Sequence, residues 1–397
     1  MSGAVYLVGG CRTAVGKFGG SLASVPATAL GAAAIREAVR RAGLEAAQIE
    51  HAEMGCVLQA GLGQNPARQA ALLAGMPEDS TAVTVNCVCG SGLESVNRAA
   101  RLIASGEADL VAAGGMENMS RAPFALPGAR FGYRIGNPAA QSELVDTMIR
   151  DALWDVYNDC HMGVTAENIA ARWQITREEA DSFALRSQQK AAAAADAGRF
   201  APEIVPVELK GKKGTVRFDS DEGIRRDTSR EALSRLSPAF QKGGVVTAGN
   251  ASGLNDGAAA VVLASEEALR RHRLTPLARW GGSAAAGVDP AVMGIGPVAS
   301  TRKLLKRAGL GIADIDLVEA NEAFAVQSIA VQRELGIPEE KLNIRGGAIA
   351  LGHPVGASGC RILVTLLYAM RDTGARTGLA TLCVGGGMGI STLLYAC

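Results

Sequence analysis

The chain has 397 residues, a formal net charge of +1 and 4% aromatic residues, so it lacks the basic footprint of a nucleic-acid binder and is long enough for two or three domains with substantial cores. No apolar stretch of bilayer length escapes interruption by Gly, Pro or charge, and Met1 to Val8 runs straight into a strand without the basic n-region of a secretory signal. Eight cysteines without paired spacing point to reduced thiols and a cytoplasmic setting.

In chain order, the first segment to carry chemistry joins a β-prone run, Thr81 to Val85, to an amphipathic helical pattern in Leu93, Val96, Ala100 and Ile103. The junction reads Val85-Asn86-Cys87-Val88-Cys89-Gly90-Ser91-Gly92-Leu93. A strand, tight turn and helix in that order present the turn side chain at a sheet rim with backbone N–H groups aimed at it. A thiol at Cys89 is thereby expected to ionise and serve as a nucleophile. This segment alone also suits a small residue packed under the helix.

From roughly Asn118 to Gly249 the texture changes. Arg121 to Pro138 is a Pro/Gly/Arg loop, and Thr176-Arg177-Glu178-Glu179 is a capping-box signature for a helix that runs to a stop at Gly198. Ile204 to Leu209 and Thr215 to Phe218 alternate like strands. Lys210, Lys212, Lys213, Arg217, Arg225 and Arg226 make the segment locally basic. It reads either as a solvated insertion or as a lid with phosphate contacts for an anionic ligand. Thr247 to Ser265 then returns as a Gly-rich turn, a helix start and a strand.

Near the other end, Asn343 to Arg361 reads NIRGGAIALGHPVGASGCR. Of the four histidines, only His353 lies in a Gly-rich turn, expected after an apolar strand, where a general base is commonly carried. Cys383 sits where the run Leu379 to Val384 meets glycines. An internal repeat suggests that these sites meet. Ile35 to Val57 aligns without a gap with Thr301 to Ala323, each a basic helix ended by Ala-Gly-Leu, a polar turn and a short strand. Cys89-Gly90-Ser91-Gly92 falls over Gly356-Ala357-Ser358-Gly359. Ala113-Gly114-Gly115-Met116 falls over Gly385-Gly386-Gly387-Met388, each expected to follow a strand. Two facing copies of one α/β domain would bring Cys89, His353 and Cys383 around one cleft. A structural zinc site would want four ligands at familiar spacing, which Cys87-Val88-Cys89 does not supply. The glycines after Val384 leave no room for the βαβ unit of a dinucleotide site.

Over essentially its whole length the chain resembles the thiolase family, most of all its acetyl-CoA acetyltransferases. The resemblance is carried by Arg12 to Gly20, Asn86 to Leu93, Gly114 to Ser120, Gly249 to Gly253, Asn321 to Ala325, Gly352-His353-Pro354 and Cys383 to Gly387. It implies an α/β fold of two duplicated mixed-sheet halves in an αβαβα layered core. An α+β lid that binds CoA would be inserted between the last two strands of the first half. The implied domains are 1–118 with 250–274, 119–249, and 275–397.

The resemblance further implies an acyltransferase that condenses two acetyl-CoA molecules reversibly to acetoacetyl-CoA and CoA, with CoA thioesters as substrates and no metal or redox cofactor. Cys89 would be acylated, His353 would act as base, and Cys383 would move the methyl proton. Asn321, through a water, would join His353 in holding the enolate oxygen, and the N–H groups of Cys89 and Gly385 would form the oxyanion hole. Arg225, Ser252, Ala248 and Gly249 would meet CoA, and Leu153, His161, Met162, Met293, Ala323 and Phe324 would border the narrow part, with Met162 closing a short acyl pocket. A homodimer or homotetramer is implied, with Arg121 to Gly136 a candidate tetramer contact. The alternatives are a broader 3-ketoacyl-CoA thiolase and a non-catalytic CoA- or lipid-binding relative. A decarboxylating ketoacyl synthase does not use a proton-transferring thiol where Cys383 stands. Arg345 departs from the more usual Asn and is expected near the base, whereas Cys87 and Cys360 read as packing thiols.

Overall fold

Two stretches of the chain pass through the same succession of elements in the computed structural model, which describes residues 3–136, 143–211 and 214–397. Lys212, Lys213 and the end of the loop at Pro138 lie outside the described residues. The first stretch runs β1 (Val5–Thr13), α1 (Ala27–Arg41), β2 (His51–Gly55), α2 (Pro66–Ala74), β3 (Thr81–Val85), α3 (Ser91–Ser105) and β4 (Leu110–Asn118). An insertion follows with α4 (Met162–Arg172), α5 (Arg177–Asp196), the hairpin of β5 (Val207–Gly211) and β6 (Gly214–Phe218), and α6 (Arg230–Ser234). The stretch then resumes with β7 (Asn255–Ser265) and α7 (Glu266–His272). The second stretch comprises β8 (Ala278–Gly287), α8 (Gly296–Ala308), β9 (Leu317–Ala320), α9 (Ala325–Leu335), α10 (Ala348–Leu351), α11 (Val355–Thr373), β10 (Thr377–Val384) and β11 (Met388–Ala396).

The strands follow the order β9–β10–β11–β8–β1–β7–β4–β2–β3. Outward from the centre, β1, β7, β4, β2 of one half match β8, β11, β10, β9 of the other. An isolated parallel bridge, Val318 to Leu342, stands where β3 pairs with β2. The halves join at the antiparallel pairs Tyr6–Arg279 and Leu7–Ala278. Between the two sheets lie α3 and α11, which pack on each other and on strands of both halves; α1 and α2 cover the outer face of one sheet, and α8 covers that of the other. The result is the layered αβαβα core of the sequence reading.

Burial follows from this layering. Every residue of β4 is buried, as are Val355 to Met370 of α11; a helix buried on every side needs neighbours on all sides. The repeat also holds locally. α1 and α8 each end near a left-handed glycine, Gly43 and Gly309, and lead through one 3-10 turn into β2 and β9. The capping box at Thr176 is present, and Glu179 and Thr176 exchange hydrogen bonds of 2.9 and 3.2 Å.

Three expectations are corrected. Ala113-Gly114-Gly115-Met116 lies inside β4, whereas Gly385 to Gly387 form the turn between β10 and β11, so the two motifs are not equivalent. No helix begins between Thr247 and β7; that stretch is loop. The element before His353 is the short helix α10, not a strand.

The close approach of α3 to α11 depends on two glycines. A Cβ on Gly359 would lie 2.3 Å from the Leu93 nitrogen, and one on Gly92 would lie 2.9 Å from the Cys360 nitrogen. Both obstacles are backbone, so a side chain here forces the helices apart. Gly359→Ala is therefore expected to cost roughly 1–3 kcal/mol, read as a lower denaturant midpoint; an unchanged midpoint would mean that the helices slide freely.

Candidate active site

The Cys89 corner is built by its neighbours. Ser91 Oγ accepts from the Cys87 N–H at 2.8 Å and donates to the Val88 carbonyl at 2.6 Å. These bonds hold Val88 at φ +44°, an unfavourable conformation for a β-branched residue. Cys89 thus sits at the head of α3, 8% exposed, with its sulfur facing its own N–H and that of Gly385. Burial pushes the thiol up to about 12 even though both N–H groups pull it down. Loss of water outweighs the two dipoles, so the turn does not by itself ionise Cys89. This corrects the sequence expectation.

His353 stands at the equivalent helix start. Its Nδ1 lies 2.6 Å from Ser358 Oγ, and that hydroxyl donates to the Pro354 carbonyl at 2.9 Å. The hydroxyl proton is therefore committed, Nδ1 carries the imidazole hydrogen, and Nε2 is left as the basic atom. The His353 N–H donates to Asn255 Oδ1 at 2.9 Å. Gly352, at φ +108°, is confined to glycine because a Cβ would lie 2.5 Å from the Asn255 side chain. Burial, and then the Arg361 charge, bring the imidazole down to about 3, so it is neutral at physiological pH.

Asn321 and Cys383 arrive on neighbouring strands. The Asn321 N–H extends the β9–β10 pairing by donating to the Thr381 carbonyl at 3.0 Å. Its Nδ2 lies 3.5 Å from His353 Nε2. Cys383, near the end of β10, is fully buried; burial raises its thiol, and proximity to Cys89 raises it further.

These groups adjoin a cavity of about 420 Å³. Cys89, His353 and Gly385 form its inner wall, while Cys383 and Asn321 lie just outside the lining. Leu153, His161, Met162, Met293, Ala323 and Phe324 border it, and Arg225, Ala248 and Ser252 also contribute. Gly249 does not: its Cα faces Leu233 and Leu236 at α6. The loop carrying Ala248 and Ser252 is docked by Ala325 N–H to Asn250 C=O at 2.8 Å and Ser252 N–H to Ala323 C=O at 3.0 Å. Arg225 is the one arginine or lysine among the described lining residues. Met162 Cε comes within 3.1 Å of where a Cβ on Gly385 would sit, which narrows the inner end. Phe240, absent from the sequence reading, stacks on His161 with centroids 4.7 Å apart and meets Phe324 edge-on.

Ser358, Asn255 and Glu117 were also missed as site-builders. Ser358 had a signal, since it falls over Ser91 in the repeat and both serines tie their helix start to a preceding carbonyl. Glu117 accepts from the N–H groups of Val57, Leu58 and Gly356 at 3.0, 3.2 and 2.9 Å, anchoring the first turn of α11; burial lifts its carboxyl to about 7. Arg345, expected near the base, turns away from it. It donates to the carbonyls of Arg199 and Tyr368, each at 3.1 Å, and to Asp372 Oδ2 at 2.6 Å. Cys360 is buried in the core between the sheets, and Cys87 packs against it, as packing thiols should.

Comparison with known proteins agrees with this arrangement. Residues 5–267 match the family model "Thiolase, N-terminal domain", and residues 274–396 match "Thiolase, C-terminal domain". An acetyl-CoA acetyltransferase of Syntrophomonas wolfei subsp. wolfei is 56% identical over 398 residues, covering 100% of both chains. A solved acetyl-CoA acetyltransferase structure from Syntrophomonas wolfei superposes with TM-score 0.97 at 41% identity, covering 100% of each chain. Human mitochondrial 3-ketoacyl-CoA thiolase does so with TM-score 0.96 at 42% identity, covering 100% of this chain and 99% of that one. Among the described residues no helix is long and apolar enough to cross a membrane.

The raised Cys89 thiol has a pH consequence. Only the thiolate is alkylated, so with a value near 12 the rate of Cys89 carbamidomethylation by iodoacetamide should climb about tenfold per pH unit from about pH 7 to 9. Mass spectrometry of the Cys89 peptide reads it, and a plateau below pH 8 would contradict the burial argument.

Proposed function

The chain belongs to the thiolase family, and from that premise we propose that it is an acetyl-CoA C-acetyltransferase. It would join two acetyl-CoA molecules into acetoacetyl-CoA and CoA, and run thiolysis in reverse, through an acyl-cysteine. The observation that carries this reading is the convergence of Cys89, His353 and Gly385 on one cavity wall, with Cys383 and Asn321 adjoining them.

In the proposed first stage, Cys89 Sγ attacks the thioester carbonyl as its proton passes to His353 Nε2. The carbonyl oxygen turns negative between the N–H groups of Cys89 and Gly385, an arrangement in which each donor is typically worth 100- to 1000-fold in rate. The tetrahedral adduct collapses to acetyl-Cys89, and the departing CoA sulfur takes the Cys383 proton. In the second stage the Cys383 thiolate removes a methyl proton from a second acetyl-CoA, and His353, with Asn321 acting through a water, holds the enolate oxygen. The enolate carbon attacks acetyl-Cys89, and Cys89 leaves and recovers its proton from His353. Cys89 regains the proton held by His353, Cys383 replaces the proton it gave to CoA with the one taken from the methyl, and acetoacetyl-CoA and CoA are released.

CoA is assigned to residues 119–249 as a lid over the cores formed by 1–118 with 250–274 and by 275–397. Arg225 would lie toward the phosphate end, and Ser252 and Ala248 along the pantetheine. The exposed apolar side chains of Phe124, Leu126, Phe131, Tyr133 and Ile135 support Arg121 to Gly136 as a contact of a homotetramer, should the chain assemble beyond a homodimer. Eight unpaired thiols favour a reducing, cytoplasmic compartment.

A broader 3-ketoacyl-CoA range is the second reading, favoured by a superposition on the human 3-ketoacyl-CoA thiolase (TM-score 0.96) nearly as good as that on the acetyl-CoA acetyltransferase (0.97). The Met162 side chain at the narrow end supports the four-carbon substrate. Met162→Ala should raise thiolysis kcat/KM for the six-carbon relative to the four-carbon substrate by roughly 10-fold or more, the worth of a methylene in a pocket; an unchanged ratio would remove Met162 as the gate. Cys383→Ala should still acetylate Cys89 while losing deuterium exchange into the acetyl-CoA methyl. Exchange at the parent rate would overturn the role of Cys383.

A further inference from the structure

One stripe of α11 carries Ser358, Arg361 and Thr365, spaced three and four residues apart and so on one face of the helix. Ser358 holds His353, and Thr365 Oγ1 donates to Glu203 Oε1 at 3.1 Å. Between them, Arg361 is 2% exposed, and none of its three guanidinium nitrogens has a hydrogen-bond partner in the protein. Its Nη1 lies 3.8 Å from Glu319 Oε2, and neither Glu319 oxygen has a protein partner. Glu319 and Asn321, two residues apart on β9 and its extension, share a face. Asn321 Oδ1 is also unpartnered, although Nδ2 reaches His353. Glu203 Oε2, at the insertion end, is the last atom of the set.

Buried polar atoms rarely go unsatisfied, and a dry guanidinium beside a dry carboxyl, which burial lifts to about 8, is especially costly. A cation is opposed by Arg361, and a second anion by Glu203, which already pairs with Arg12 and Arg345. Water can donate to the carboxylates and Asn321 Oδ1 while accepting from the guanidinium.

We propose that the seam between β9 and α11 holds ordered internal water, and that Arg361 and Glu319 act through it as positioning residues for Asn321. An amide can present either end. Water donating to Oδ1, itself held by Arg361, fixes the amide with its nitrogen toward His353 and the enolate oxygen. The same guanidinium opposes a proton on His353. The proposal rests on the thiolase reading and deepens its second stage, because Asn321 serves the enolate and not the attack of Cys89.

Arg361→Lys keeps the charge and loses the planar fork, and Glu319→Gln keeps the shape and removes the titratable carboxyl, which burial lifts to about 8. In each, acetylation of Cys89 by acetyl-CoA, followed by mass, should stay within about threefold of the parent. Deuterium exchange into the acetyl-CoA methyl should fall roughly 10- to 100-fold, as expected when a catalytic amide is misoriented. A merely structural role would lower both together, and that result, or unchanged exchange, overturns the proposal. Should Arg361→Lys fail to fold, Glu319→Gln carries the comparison. A high-resolution crystal structure of the parent should show water between Arg361 and Asn321 Oδ1, and a dry seam overturns the proposal without any variant. A parent that never acetylates Cys89 defeats the thiolase reading instead, and the crystallographic result still decides the seam.

Discussion

Two helices that begin almost in contact set the geometry of the whole site. With no side chain at Gly92 or Gly359, the backbone of α3 lies against that of α11, and the turn before each helix faces the same cavity. Cys89 precedes one helix and His353 the other. Ser91 and Ser358 do the same work at both starts, binding the turn to a carbonyl just upstream. Glu117 draws the third component in, because its carboxylate ties the first turn of α11 to the end of β2 and the loop beyond it. Opening this crossing by a single methyl group would move Cys89 away from His353.

Close packing also decides the protonation states. Burial holds the Cys89 and Cys383 thiols up and the His353 imidazole down, so the resting site is a set of neutral groups rather than a thiolate–imidazolium pair. Charge is expected to appear only when a thioester carbonyl enters and the N–H groups of Cys89 and Gly385 have an oxyanion to hold. Fixed by the backbone at the cavity wall, those donors would need no reorganisation as the charge develops.

The sequence made the Cys89 corner readable because strand, turn and helix each left a local pattern: β-prone Thr81 to Val85, then Gly90 to Gly92, then Leu93, Val96, Ala100 and Ile103 at helical spacing. The repeat gave the duplication, since helix, Ala-Gly-Leu, turn and strand recur intact. Local patterns failed where tertiary contacts chose the residue. Gly114 and Gly115 read as following a strand, yet they lie inside one, where α11 and the neighbouring strand come too close for a side chain. Arg345 read as a neighbour of His353 on sequence distance alone, whereas Asp372 and the end of α11 pull it the other way. Ionisation of Cys89 read as favourable from the helix dipole, but desolvation, which is not visible in sequence, is the larger effect.

The central claim is that Cys89, and not its neighbour Cys383, carries the acyl group. Acid-quenching the unmodified enzyme soon after mixing with acetyl-CoA, then mapping its peptides by mass spectrometry, tests this most directly. The account predicts one acetyl group per chain, on Cys89, with one CoA released for each. Acetyl found on Cys383, or CoA release with no acetylated cysteine, would contradict it.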